Sequence, residues 1–159
     1  MAQADTETEV SQRAVRPPFL MLVLLLAGWG LDFLWPLPFV PAGWPNGWIG
    51  GAVFAIGLVI VGVAFRQFRR AGTNIETYKP SHALVDTGLF GVSRNPIYVA
   101  AVFPFAGAAI GLDTLWMVIA AVPFFAVMNF YVIPKEEAYL ERRFGDAYRA
   151  YKTRVRRWL

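Results

Sequence analysis

Two short polar segments of this chain carry side chains able to bind and orient a charged small molecule. One runs Asp86-Thr87-Gly88-Leu89-Phe90-Gly91-Val92-Ser93-Arg94-Asn95-Pro96-Ile97-Tyr98, and the other Pro134-Lys135-Glu136-Glu137. Gly88 and Gly91 permit tight turns or close backbone approach to a ligand. Arg94 lies just ahead of Pro96 in a stretch biased towards extended backbone, so its guanidinium can reach forward to an anion such as a carboxylate. Glu136 and Glu137 can hold a cation, an ammonium group or sugar hydroxyls. Each residue also has a plainer use. Arg94 can snorkel at a membrane interface, and the glutamates suit the N-terminal dipole of a helix.

Other chemistries are closed off. There is no cysteine and one histidine, His82. Thiolate nucleophiles, disulfides and histidine-cluster metal sites are thereby excluded, and no metal is expected. His82, in Lys79-Pro80-Ser81-His82, is a candidate proton acceptor or an incidental loop residue.

The elements that position these segments read as membrane helices. Hydrophobic residues make up 57% of the 159 and charged residues 16%, and the apolar ones gather in long uncharged runs. Four spans are expected, at about 19–37, 48–65, 97–112 and 115–133, each close to what a hydrocarbon core of about 30 Å requires, with the third short. Asp32 and Asn129 are polar residues inside spans. Pro36, Pro38, Pro41 and Pro45 make a non-helical loop flanked by Trp35, Trp44 and Trp48, as at an interfacial aromatic belt. Pro104 and Pro123 predict kinks in the third and fourth spans, which Gly111 to Thr114 joins in a hairpin.

All fifteen lysines and arginines avoid that loop and hairpin. They precede the first span, lie from Arg66 to Arg94, or lie from Lys135 onward, which puts both termini and the polar segments in the cytoplasm. The formal charge of +4 therefore points to a lipid surface, with no nucleic acid expected. Residues 1–15 read as a disordered tail and 16–159 as one domain. In the tail 134–159, a helix Glu136–Phe144 should stop at Gly145, and Asp146 can cap a second. Tyr148, Tyr151, Val155 and Trp158 then share a face, which suits either an anionic membrane surface or the protein's own spans. The fold class is thus all-α: four transmembrane helices, with an amphipathic helical tail covering a cytoplasmic cofactor pocket.

Together, Gly88-Leu-Phe-Gly-Val-Ser-Arg94-Asn95-Pro96-Ile-Tyr98, a two-span hairpin, and Glu136-Glu137-x-x-Leu140-x-x-x-Phe144-Gly145-x-x-Tyr148-x-x-Tyr151 resemble the isoprenylcysteine carboxyl methyltransferase family. That family is related to the membrane phospholipid methyltransferases. The resemblance covers roughly residue 73 onward. It implies S-adenosylmethionine as methyl donor and a lipid or amphipathic acceptor entering from the bilayer. Pocket contacts are implied for Arg94, Asn95, Pro96, Tyr98, Glu136 and Glu137; Gly88 and Leu89 are further candidate cofactor contacts beside them, and Arg94, Glu137 and His82 are the candidate catalytic residues. Many members carry histidine where this chain has Asn95, which cannot act as a general base at neutral pH. A bacterial inner membrane suits a chain this short.

Three other readings compete, of which a nonenzymatic membrane adaptor explains none of the clustering of polar residues. A membrane reductase using NAD(P)H, of the sterol-reductase-like kind, would share the C-terminal architecture and need no glycine-rich phosphate loop. A four-helix transporter would need a mid-membrane carboxylate, for which Asp32 is the one candidate.

Overall fold

A computed structural model describes residues 15–72 and 83–159. His82 and nearly all of the expected N-terminal tail lie outside the described residues. The described residues form helices and connecting segments, with no strand among them. In chain order these are α1 (Pro17–Leu34), α2 (Asn46–Arg70), α3 (Leu89–Val92), α4 (Pro96–Ala100), α5 (Val102–Gly111), α6 (Trp116–Val127), a π-helical turn (Met128–Val132), α7 (Ile133–Phe144) and α8 (Asp146–Arg154).

Three helices are long and apolar enough to cross a membrane: α1, α2, and the unbroken run Trp116–Phe144. Their outward faces carry large apolar side chains such as Leu26, Phe33, Leu58, Val59, Val122 and Phe130. A soluble protein does not expose so much contiguous apolar surface; hydrocarbon accepts it. The chain is an integral membrane protein.

The stretch expected as a third span, 97–112, forms Pro96–Gly111, an apolar helix shorter than those three and broken at Ala101. The break has a local cause. Pro104 has no N–H for the Ala100 carbonyl, and its ring crowds that turn. Sixteen residues at about 1.5 Å each reach about 24 Å, short of a hydrocarbon core of about 30 Å. Pro123 causes no such break, because α6 runs through it. The widened π turn lies immediately before Pro134 instead, where the proline again withdraws an N–H. Trp116–Phe144 therefore continues straight from the apolar run into the polar tail, and the separate helix expected from Glu136 is the end of this one.

Helices α2 and α5 meet through small residues. A Cβ on Gly50 would lie 2.5 Å from the Gly107 carbonyl oxygen, and one on Gly107 would lie 2.7 Å from the Gly50 oxygen. The two backbones touch, as small residues allow within membranes. Helix α1 crosses α6 at Gly28, where a Cβ would meet the Trp116 carbonyl oxygen at 3.2 Å. Tyr98, Phe105, Phe124, Met128, Val132 and Ile133 form the buried core between these layers.

At the end opposite the arginines, the Pro-rich loop is pinned to the hairpin. Asp113 Oδ1 accepts hydrogen bonds from the backbone N–H groups of Phe39 (2.8 Å) and Val40 (2.7 Å). Trp116 Nε1 donates to the Trp35 carbonyl at 2.7 Å. Asp32 is part of the same end, accepting from the Leu37 N–H at 3.3 Å, which gives it a local structural role.

The tail folds back onto protein. Tyr148, Tyr151 and Val155 are buried against Leu84, Leu140 and Phe144, so the aromatic stripe packs on the chain itself and is not laid on a lipid surface. Gly145, at φ +53°, turns the chain between α7 and α8 and also takes the N-cap place expected of Asp146, whose carboxylate accepts from Arg149 Nη1 instead.

Candidate functional site

Both polar segments arrive at the basic end of the bundle, and the local backbone explains their shape. Gly88 adopts φ +61°, ψ −126°, a conformation open essentially to glycine alone. It turns the chain into the four-residue helix α3. Ser93 is extended at φ −136°, ψ 143°, as is suited to a segment leading into a proline. Its hydroxyl accepts the Asn95 N–H at 3.1 Å, steadying the entry to α4.

The two motif halves are joined by an ion pair. Arg94 Nη2 donates to Glu137 Oε1 at 2.7 Å, and both side chains are nearly buried, 12% and 14% exposed. Arg157 engages the same carboxylate with Nε on Oε1 at 3.1 Å and Nη2 on Oε2 at 2.6 Å. One carboxylate is thus held between two guanidiniums. That arrangement is costly to desolvate, and breaking it is costlier than forming it is favourable. The Glu137 hydrogen bond holds the Arg157 guanidinium above its usual range. Beside the pair, Tyr98 OH donates to Glu136 Oε1 at 3.0 Å.

The last residues form a strap across this centre. Arg94 Nη1 donates to the carbonyls of Lys152 (3.2 Å) and Val155 (2.9 Å), and the Arg94 N–H donates to the Arg156 carbonyl at 2.9 Å. Asn95 Nδ2 donates to the Arg157 carbonyl at 2.9 Å. A neutral imidazole N–H could donate the same bond, so asparagine in histidine's place keeps a donor here. Trp158 packs edge-on to Phe125 and donates from Nε1 to Asn129 Oδ1 at 3.0 Å, within the π turn. Beneath the strap, Tyr151 OH donates to the Phe90 carbonyl at 2.7 Å. Burial, reinforced by the Glu137 charge, pushes the Tyr148 phenol up to about 12. Burial likewise raises Tyr151, so both remain neutral.

Among the described residues, two buried side-chain atoms have no hydrogen-bond partner: Arg94 Nε, a donor, and Gln67 Oε1, an acceptor. Native proteins satisfy most such groups, and exceptions call for an explanation.

The structure therefore brings Arg94, Asn95, Pro96, Tyr98, Glu136 and Glu137 together. Gly88 and Leu89 lie one short helix away, at the turn into α3. His82 lies outside the described residues. Sequence reasoning missed Arg157, which had read as one more basic tail residue, and Gln67, which stands among arginines at the end of α2. The basic-aromatic Arg156-Arg157-Trp158 was the available signal for the side chains of Arg157 and Trp158.

The family model for phospholipid methyltransferase matches residues 45–147. The chain belongs to the phospholipid methyltransferase family, a class of membrane methyltransferases. It is also similar to an uncharacterized protein of Haemophilus influenzae, 47% identical over 50 residues, which is 31% of this chain and 76% of that protein. No solved structure matches.

Proposed function

We propose that this protein transfers a methyl group from S-adenosylmethionine to an acceptor embedded in, or entering from, the bilayer. In this reading Pro96–Gly111 is a fourth, short span, and the basic end faces the cytoplasm, as lysine and arginine placement favours. The observation that carries it is the Arg94–Glu137 pair with a buried Arg94 Nε still lacking an acceptor, in a chain of a membrane methyltransferase family.

The residues present fit such a cofactor. Arg94 would hold the methionyl carboxylate through Nε. Glu136 or Glu137 would hold the ammonium or ribose, with Gly88, Leu89, Asn95, Pro96 and Tyr98 shaping the walls. When bound, the cofactor supplies an electrophilic methyl on a sulfonium.

What the chain must add is alignment and exclusion of water. A bare carboxylate beside the sulfonium would favour the ground state, because that charge disappears in the reaction. Two guanidiniums already balance Glu137, which limits this effect. A carboxylate or thiolate acceptor needs no base, whereas an ammonium acceptor must first lose a proton. His82 is the candidate to take it. Isoprenylcysteine carboxylates, lipid amines and hydrophobic thiols are the acceptor classes to distinguish.

The test is transfer of labelled methyl from S-adenosylmethionine by protein in lipid nanodiscs, offered one acceptor of each class. Label in a lipid-soluble product supports the reading and names the class. No label with any acceptor, together with NADPH oxidation on a sterol-like substrate, would replace it with the reductase reading.

A further inference from the structure

The Arg94 donor has an assigned partner in the proposed function; the Gln67 acceptor has none. Gln67 lies on the last turns of α2. The Phe68 ring packs on Phe90 of α3, with centroids 4.8 Å apart, and this anchors the end of α2 over the turn at Gly88. The anchoring sets the Gln67 amide against Gly88: a Cβ there would run into the amide nitrogen. Gly88 is thus doubly constrained, by its backbone angles and by the side chain occupying its missing Cβ position. Such close seating fixes the amide and leaves Oε1 buried without a donor. From Gly88 to Arg94 the chain passes through the four residues of α3, about 6 Å of helix. An unmet acceptor and an unmet donor therefore flank one short segment at the same end of the bundle.

We infer that Gln67 reads the nucleoside part of the cofactor, its Oε1 accepting a hydrogen bond from the purine 6-amino group or a ribose hydroxyl while Arg94 meets the carboxylate. This rests on the proposed function and extends it to a residue on another helix. An adenosyl group offers only those donors, and a glutamine carbonyl suits each. The turn at Gly88 then has a second purpose, which is to admit the Gln67 amide to the site.

The test is calorimetric binding of S-adenosylhomocysteine, and of its analogues lacking the 6-amino group, the 2′-hydroxyl or the 3′-hydroxyl, to wild-type, Gln67→Leu and Gln67→Met proteins. Thermal unfolding is followed without ligand. Wild-type protein should lose about tenfold in affinity for one analogue, the one missing the bonded donor. The Gln67 variants should lose a similar factor for S-adenosylhomocysteine but discriminate no further against that analogue. Without ligand they should unfold no lower than wild type, because an apolar side chain leaves no acceptor unmet. Unchanged affinity in both variants, or an equal loss for all four compounds with a lowered unfolding temperature, would overturn the role of Gln67 and leave the proposed function intact. Folded wild-type protein that binds none of the compounds would instead overturn both.

Discussion

Glu137→Gln is the substitution whose cost the structure specifies best. The carboxylate receives three N–H contacts, from Arg94 Nη2 at 2.7 Å, Arg157 Nε at 3.1 Å and Arg157 Nη2 at 2.6 Å. Glutamine preserves the shape but supplies one acceptor oxygen, and it turns an NH2 group towards a guanidinium that can only donate. Charge-assisted bonds contribute about 1.5–3 kcal/mol each, and stranding buried charge is worse than losing a bond. Arg157 is one-third exposed, so water recovers part of its loss. A net cost of about 2–4 kcal/mol follows, which for a chain of this size lowers the unfolding temperature by roughly 5–15 °C. Thermal unfolding in detergent, followed by tryptophan fluorescence, measures it. Glu136→Gln leaves a neutral acceptor for the Tyr98 hydroxyl, so the change at that one bond should cost about 1 kcal/mol or less. Arg157→Gln should couple to Glu137→Gln, the double variant costing less than the sum of the singles. Wild-type stability in Glu137→Gln, or strict additivity with Arg157→Gln, would refute the claim that this carboxylate ties the strap to the motif.

Two further outcomes are expected. Gly107→Val should prevent α2 and α5 from closing, with loss of folded protein in detergent, because its Cβ would lie 2.7 Å from the Gly50 oxygen; Gly51→Ala, with nothing within 4 Å, should unfold like wild type by the same assay. The Tyr148 phenol, pushed up to about 12, favours the neutral form in the folded state relative to an unfolded value near 10. Its contribution is complete below about pH 10 and is lost as pH rises towards 12, so denaturant midpoints should fall across that window, and less so in Tyr148→Phe.

The parts legible in the sequence are those with a residue-type signature. Proline positions bounded α1 and the loop after it, Gly145 marked the turn between α7 and α8, and the chain's hairpin brought Arg94 to Glu137. The break at Ala101 was legible in kind, since Pro104 predicts a disturbance, but the sequence does not say whether that disturbance is a bend or an interruption. The strap was not legible, because its main contacts use backbone carbonyls of Lys152, Val155, Arg156 and Arg157, and any residue supplies a carbonyl. Trp158 had been assigned to a helical face, yet α8 ends at Arg154 and the tryptophan reaches Asn129 from beyond the helix. Asp113 gave no sign of holding Phe39 and Val40, more than seventy residues away. Gln67 was hidden by its neighbours: among Arg66, Arg69 and Arg70 it looks like one more solvated position.

Calorimetric titration of S-adenosylhomocysteine into detergent-purified protein, with NADPH as the control ligand, tests the central claim most directly. Saturable binding is expected for the homocysteine compound alone, weakened roughly ten- to a hundredfold by Arg94→Lys, which retains the charge but has no Nε donor of that geometry. Binding of NADPH instead, or equal affinity in the Arg94→Lys protein, would contradict it.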